Sequence, residues 1–112
     1  MWTPLTQPEE LTVLAAASHE RPVLIFKHST TCSISAAAKA RIERQWAASG
    51  LTDLTIYYLD LLQNRPLSAQ VAEAFGVAHE SPQLLLIQNG ECRYHASHMG
   101  ILLAGAKAAV AA

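Results

Sequence analysis

The stretch VLIFKHSTTCSISAAAKARIERQWAASG, residues 23–50, changes its periodicity across a single cysteine. VLIFKH is a short run rich in strand formers, too short for a helix, and reads as a buried strand. Beyond Cys32 the spacing becomes helical. Ile34, Ala38, Ile42 and Trp46 fall at i, i+4, i+8 and i+12 on one face, and Lys39 and Glu43 form an exposed i, i+4 pair. Gly50 supplies the stop. Cys32 therefore stands where a strand hands over to an alanine-rich helix.

The same reading extends in both directions. TQPEELTVLAAAS (6–18) suggests a short helix opened by a capping box, Thr6 accepting from the N–H near Glu9 and Glu9 reaching back. Residues Met1 to Leu5 are a candidate edge strand. LTIYYLDLL (54–62) reads as a second strand. NRPLSAQVAEAFG (64–76) reads as a helix with Pro66 in its first turn, Val71, Ala72 and Phe75 inward, and Gly76 at its end. PQLLLIQNGECRYHA (82–96) holds two strands joined by Asn89-Gly90, a strong hairpin signal. SHMGILLAGAKAAVAA (97–112) is expected to close the chain as a helix with Ser97 as N-cap. Strands separated by helices pair in parallel through crossovers, and the hairpin adds an antiparallel edge. The fold class is α/β, a small mixed sheet with helices on both faces, expected as one domain over residues 1–112.

Composition narrows the function classes. The 112 residues are about half apolar, with a formal net charge of −1 and no basic run. Nucleic acid and acidic membrane surfaces are thus poor candidates as partners. Two cysteines are too few for a secreted disulfide scaffold. The first residues carry acids where a signal peptide needs positive charge, so a reducing cytoplasm is the expected location.

The chemistry centres on Cys32. Free N–H groups of the following helical turn and the helix dipole favour negative charge on its sulfur, and so the nucleophilic thiolate. Lys27 and His28 lie just upstream, and strand alternation lets at most one of them face the sulfur. Ser35 occupies the place where a C-x-x-C oxidoreductase holds its resolving cysteine. A hydroxyl forms no disulfide, but it can hydrogen-bond a thiolate, which suits a site working through mixed disulfides. Thr30 or Thr31 is the expected helix cap. Cys92 should lie at the far end of a strand of some five residues, roughly 15 Å from Cys32, and is better read as a packed strand residue. Asp60 reads as a buried carboxylate near the site or a turn former, and Trp46 as core. His95 and His98 bridge a strand end and a helix start with no carboxylate or thiol in the motif, so no metal is expected.

YYLDLLQNRPLSAQVAEAFGVAHESPQLLLIQNGE resembles the second half of thioredoxins, which implies a thioredoxin-like fold with Pro82 as its cis-proline. Ser81 would then offer backbone groups to an extended substrate. More narrowly, HSTTCSISAAA, YYLDLLQNR, HESPQLLLIQNGE and YHASH together resemble the monothiol bacilliredoxins of the YtxJ type, over nearly all of residues 22–101. That resemblance implies removal of bacillithiol, a low-molecular-weight thiol, from protein mixed disulfides. Cys32 would be the nucleophile, with Ser81 and Pro82 on the substrate side and Thr31, Ser33, Ser35 and His28 in support. Bacillithiol is implied as co-substrate, with no bound cofactor, and bacillithiolated proteins and a bacillithiol disulfide reductase as partners. One departure is Ser33, where many members of the broader thioredoxin-like group have proline or glycine after the cysteine, a residue that tunes redox poise. The alternatives are an iron–sulfur carrier of the monothiol-glutaredoxin type, which usually has glycine and an aromatic where this chain has Ser33 and Ile34, and a non-catalytic adaptor.

Overall fold

A computed structural model describes residues 1–111; Ala112, the last residue of the expected closing helix, lies outside the described residues. The elements are β1 (Trp2–Pro4), α1 (Glu9–Ala17), β2 (Val23–His28), α2 (Ser33–Gln45), β3 (Thr55–Asp60), α3 (Arg65–Phe75), β4 (Gln83–Gln88), β5 (Glu91–Ser97) and α4 (Leu103–Ala111). Short 3-10 turns follow α2 at Trp46–Ala48 and β5 at His98–Gly100. One mixed sheet runs in the order β1-β3-β2-β4-β5. The first three of these strands are mutually parallel, and β4 and β5 are antiparallel additions.

Alternation along the central strands splits the core in two. Leu24 and Phe26 face α2 and α4, packing with Ala38, Ile42, Leu84, Leu86, Leu103 and Ala106. Val23 and Ile25 face α1 and α3, packing with Leu14, Leu67, Val71, Leu85 and Ile87. Every residue of β2 is buried, as expected of a parallel strand covered on both faces. Edge strand β1 adds Trp2, which meets the Phe26 and Tyr58 rings at centroid distances of 5.4 and 5.7 Å. Asn89 and Gly90 both adopt positive φ (55° and 75°), the paired left-handed turn that the hairpin requires. Gly76 closes α3 at φ 67°.

Four local expectations are corrected. Helix α1 starts at Glu9 with Pro8 at its N-cap, and Glu10 rather than Glu9 reaches back, accepting the Thr6 and Gln7 N–H groups at 3.0 and 2.9 Å. Ile34 is exposed, because the inward stripe of α2 starts at Ser35 and continues through Ala38 and Ile42. Neither Thr30 nor Thr31 caps α2; Cys32 itself holds the N-cap position, with extended φ/ψ. Ser97 ends β5, and α4 begins six residues later because the ladder to β4 runs through Ser97.

Candidate active site

Strand β2 ends at His28, and three residues bridge it to Cys32. The first helical bond of α2 is Ala36 N–H to the Cys32 carbonyl, 3.0 Å. The N–H groups of Ser33, Ile34 and Ser35 are therefore left without intrahelical acceptors beside the Cys32 side chain. Cys32 is partly exposed and free, with Thr31 and Ser33 exposed on either side of it.

Ser35 is fully buried beneath this turn. Its Oγ accepts the Ser29 N–H at 3.0 Å and shares a 2.6 Å hydrogen bond with His28 Nδ1. The hydroxyl is thus engaged by the end of β2, not by the sulfur as the sequence suggested. His28 stacks on Phe26 and lies 5.6 Å from the Tyr58 ring. Burial, and then the Lys39 charge, hold its pKa below the ordinary 6.5, against the opposing pull of Asp60 and Glu43. His28 is accordingly a neutral imidazole bracing the strand-to-helix turn.

Pro82 precedes β4, one residue from the Lys27–Gln83 pair, so the sheet register puts it at the same end as Cys32. The Ser81-Pro82 bond is cis. Pro82 is buried and Ser81 partly so, while the Pro82 carbonyl accepts the His98 N–H at 3.1 Å. Asp60 ends β3 opposite His28 and turns the chain, accepting the Leu62 N–H at 3.1 Å. Trp46 packs against the α2-side core.

Cys92 lies at the other end of the hairpin, paired with Ile87, and its thiol donates to the Tyr94 carbonyl at 3.3 Å. Burial pushes its pKa up, the reverse of activation. His95 stands opposite Leu85 in β5 and His98 in the turn beyond. No group of three or more metal-ligating side chains occurs among the described residues. A 670 Å³ cleft between α2 and α4, bordered by Arg44, Leu102 and Lys107, has no cysteine, histidine or carboxylate in its lining.

Sequence reasoning passed over Lys27. It is fully buried on the face opposite His28, with Nζ 3.1 Å from the Ser68 carbonyl and 3.4 Å from His79 Nδ1. The signal for it is a lysine closing an apolar run inside a strand that is buried throughout.

A cysteine at a helix N-terminus, with a cis-proline leading into an antiparallel strand at the same end of this sheet, defines the class of thioredoxin-like oxidoreductases. A solved structure described as a candidate oxidoreductase with a thioredoxin fold is 29% identical with a TM-score of 0.83, covering 97% of this chain and 93% of its own. The thioredoxin of Trypanosoma brucei brucei shares the fold at 10% identity and TM-score 0.73, with 99% and 88% covered. That of Fasciola hepatica does so at 17% and 0.66, with 85% of each chain covered. The model of the monothiol bacilliredoxin BrxC family matches residues 3–104, and the chain belongs to that family.

Proposed function

We propose that this chain removes bacillithiol from protein mixed disulfides, with Cys32 as the nucleophile and no bound cofactor. The observation that carries this reading is the partly exposed Cys32 at the N-cap of α2, beside three N–H groups free to stabilise a thiolate, in a member of the bacilliredoxin family. The Cys32 thiolate attacks the bacillithiol sulfur of the adduct. The new Cys32–bacillithiol disulfide forms as the old bond breaks, and the protein leaves as its thiolate. A second bacillithiol thiolate then attacks the bacillithiol sulfur on Cys32, forming bacillithiol disulfide and restoring Cys32.

With serine at position 35, the second thiol must come from solution. Thr31 and Ser33 border the sulfur, Ser81 and Pro82 line the substrate side, and His28 with Ser35 holds the turn in shape. A reductase for bacillithiol disulfide completes the cycle, in a reducing cytoplasm. The described helices include none long and apolar enough to cross a membrane.

The test is single-turnover release of bacillithiol from a bacillithiolated protein, using wild type and Cys32→Ala. Release should vanish in the variant, and wild-type Cys32 should gain the mass of one bacillithiol. Equal release by both proteins removes Cys32 from the reaction. A different adduct mass identifies a different small thiol.

A further inference from the structure

A fully buried lysine in a central strand is costly unless its protons have partners. Lys27 has two, one in α3 and one in the loop that delivers the chain to Pro82. His79 Nδ1 receives the Lys27 ammonium at 3.4 Å and lies 3.1 Å from the Ser68 hydroxyl. An ammonium only donates, so that ring nitrogen must offer a lone pair, and the imidazole is neutral with its proton on Nε2. Gln83, the cross-strand neighbour of Lys27, holds the same loop by donating to the Ala78 carbonyl at 3.0 Å. Val77 fixes the start of the loop through its N–H to the Ala72 carbonyl, 3.1 Å. The segment 77–82 is thus fastened on the α3 face, while its far end borders the Cys32 end of the sheet.

We propose that Lys27, Ser68 and His79 form a proton-gated latch that positions Ser81 and Pro82 for a protein substrate. The positioning role rests on the function proposed above; the latch itself does not. The groups facing His79 are Lys27 from β2, Arg65 and Ser68 from α3, and Glu80 beside it in the loop. Burial first, then Lys27 and Arg65, hold the His79 pKa below the ordinary 6.5, with Glu80 opposing. The latch is therefore closed at neutral pH. Acid puts a proton on Nδ1, so Lys27 keeps the Ser68 carbonyl but loses its acceptor in the loop, and two cations stand face to face. His79 is exposed and borders an open cleft with Leu61, Arg65 and Ala69, so solvent protons reach it. On the alkaline side Lys27 loses its charge near pH 8, yet the amine still donates, so that limb is shallow.

The test follows the loop and the chemistry separately. Backbone ¹⁵N relaxation of residues 78–81 is measured at about pH 7.5 and at an acid pH low enough that the His79 ring shifts themselves report its protonation. Wild type should be ordered at the higher pH and mobile at the lower. His79→Asn, whose amide oxygen replaces Nδ1 without titrating, should stay ordered at both. His79→Ala and Lys27→Met should be mobile at both. Identical wild-type relaxation at the two pH values, or wild-type order in His79→Ala, overturns the latch.

In parallel, kcat/KM of the two latch-breaking variants should fall about tenfold on a bacillithiolated protein, while their reaction with hydroxyethyl disulfide stays within about twofold of wild type. Equal losses on both substrates, or none on the protein, overturn the positioning role even if the loop loosens. A wild type inactive on every mixed disulfide refutes the proposed function instead, and the relaxation data still decide the latch.

Discussion

Ser35 sits one helical turn from Cys32, yet its hydroxyl belongs to the end of β2, where Ser29 donates to it and His28 shares its second bond. Ser35→Ala strands a buried N–H and an imidazole nitrogen beneath the turn. The expected cost is about 1–3 kcal/mol, the desolvation penalty of unmet buried polar groups. Ser33→Ala, at an exposed position with no side-chain hydrogen bond, should stay within about 0.5 kcal/mol of wild type. Urea denaturation of the two variants checks the contrast; equal midpoints would mean that Ser35 is not the brace described. Two serines flanking the same helical turn look alike in the sequence. Their burial separates them, and burial depends on where α2 meets the sheet.

Helix α4 meets β5 at Gly105, where a methyl group would lie 2.5 Å from Tyr94 Oη and 2.8 Å from two of its ring carbons. Alanine raises helix propensity by up to about 1 kcal/mol, but displacing a packed aromatic ring costs about 1–3 kcal/mol. Gly105→Ala should therefore destabilise the protein, and in a Tyr94→Ala background the same change should become neutral or stabilising. A double-mutant cycle by thermal melting measures this coupling, and additive effects would refute the contact as the cause. Such close approaches were not legible in the sequence, where SHMGILLAGAKAAVAA supports a continuous helix from Ser97. What was legible was written in local chemistry: the β2 run, Asn89-Gly90 with both residues at positive φ, and Gly76 at the end of α3. The N-cap of α1 falls two residues beyond the expected Thr6, because Glu9 and Glu10 both offer a carboxylate and the entry through Pro8 chooses between them. Near the site, the place of Cys32 between β2 and α2 was legible in the change of periodicity, and the cis bond at Pro82 in the resemblance to thioredoxins. The Lys27–His79 link was not, since it joins residues 52 positions apart across a helix.

Charge contributes to the stability of the whole molecule mainly through groups whose ionised forms burial disfavours. One ion pair, Lys39–Glu43, occurs among the described residues, and it is partly exposed at 2.9 Å, so added salt should shift the melting temperature little. The pH dependence has a definite sign. Burial lowers the folded pKa values of His28 and His79 below 6.5, so below that pH the unfolded chain binds protons the folded one resists, and stability falls as acid is added. Burial likewise lowers Lys27 from 10.5 to about 8. Between those two values the unfolded lysine keeps a proton that the folded one has released, so this group makes stability rise with pH through the window. Tyr57, Tyr58 and Cys92 are shifted upward by burial and act in the opposite sense at high pH, so wild type alone cannot isolate the effect. Lys27→Met can, because the tyrosines and Cys92 cancel in the difference, and His79, whose pKa Lys27 lowers, is neutral throughout that window. The variant should be the more stable protein at neutral pH, having exchanged a buried charge for an apolar chain of similar length. Its advantage should then shrink above pH 8, by up to about 1.4 kcal/mol per pH unit for one proton. Chemical denaturation of both proteins at a series of pH values measures the gap. If it stays constant from neutral pH to the upper end of the window, Lys27 keeps its proton throughout, and the buried amine is not the one described.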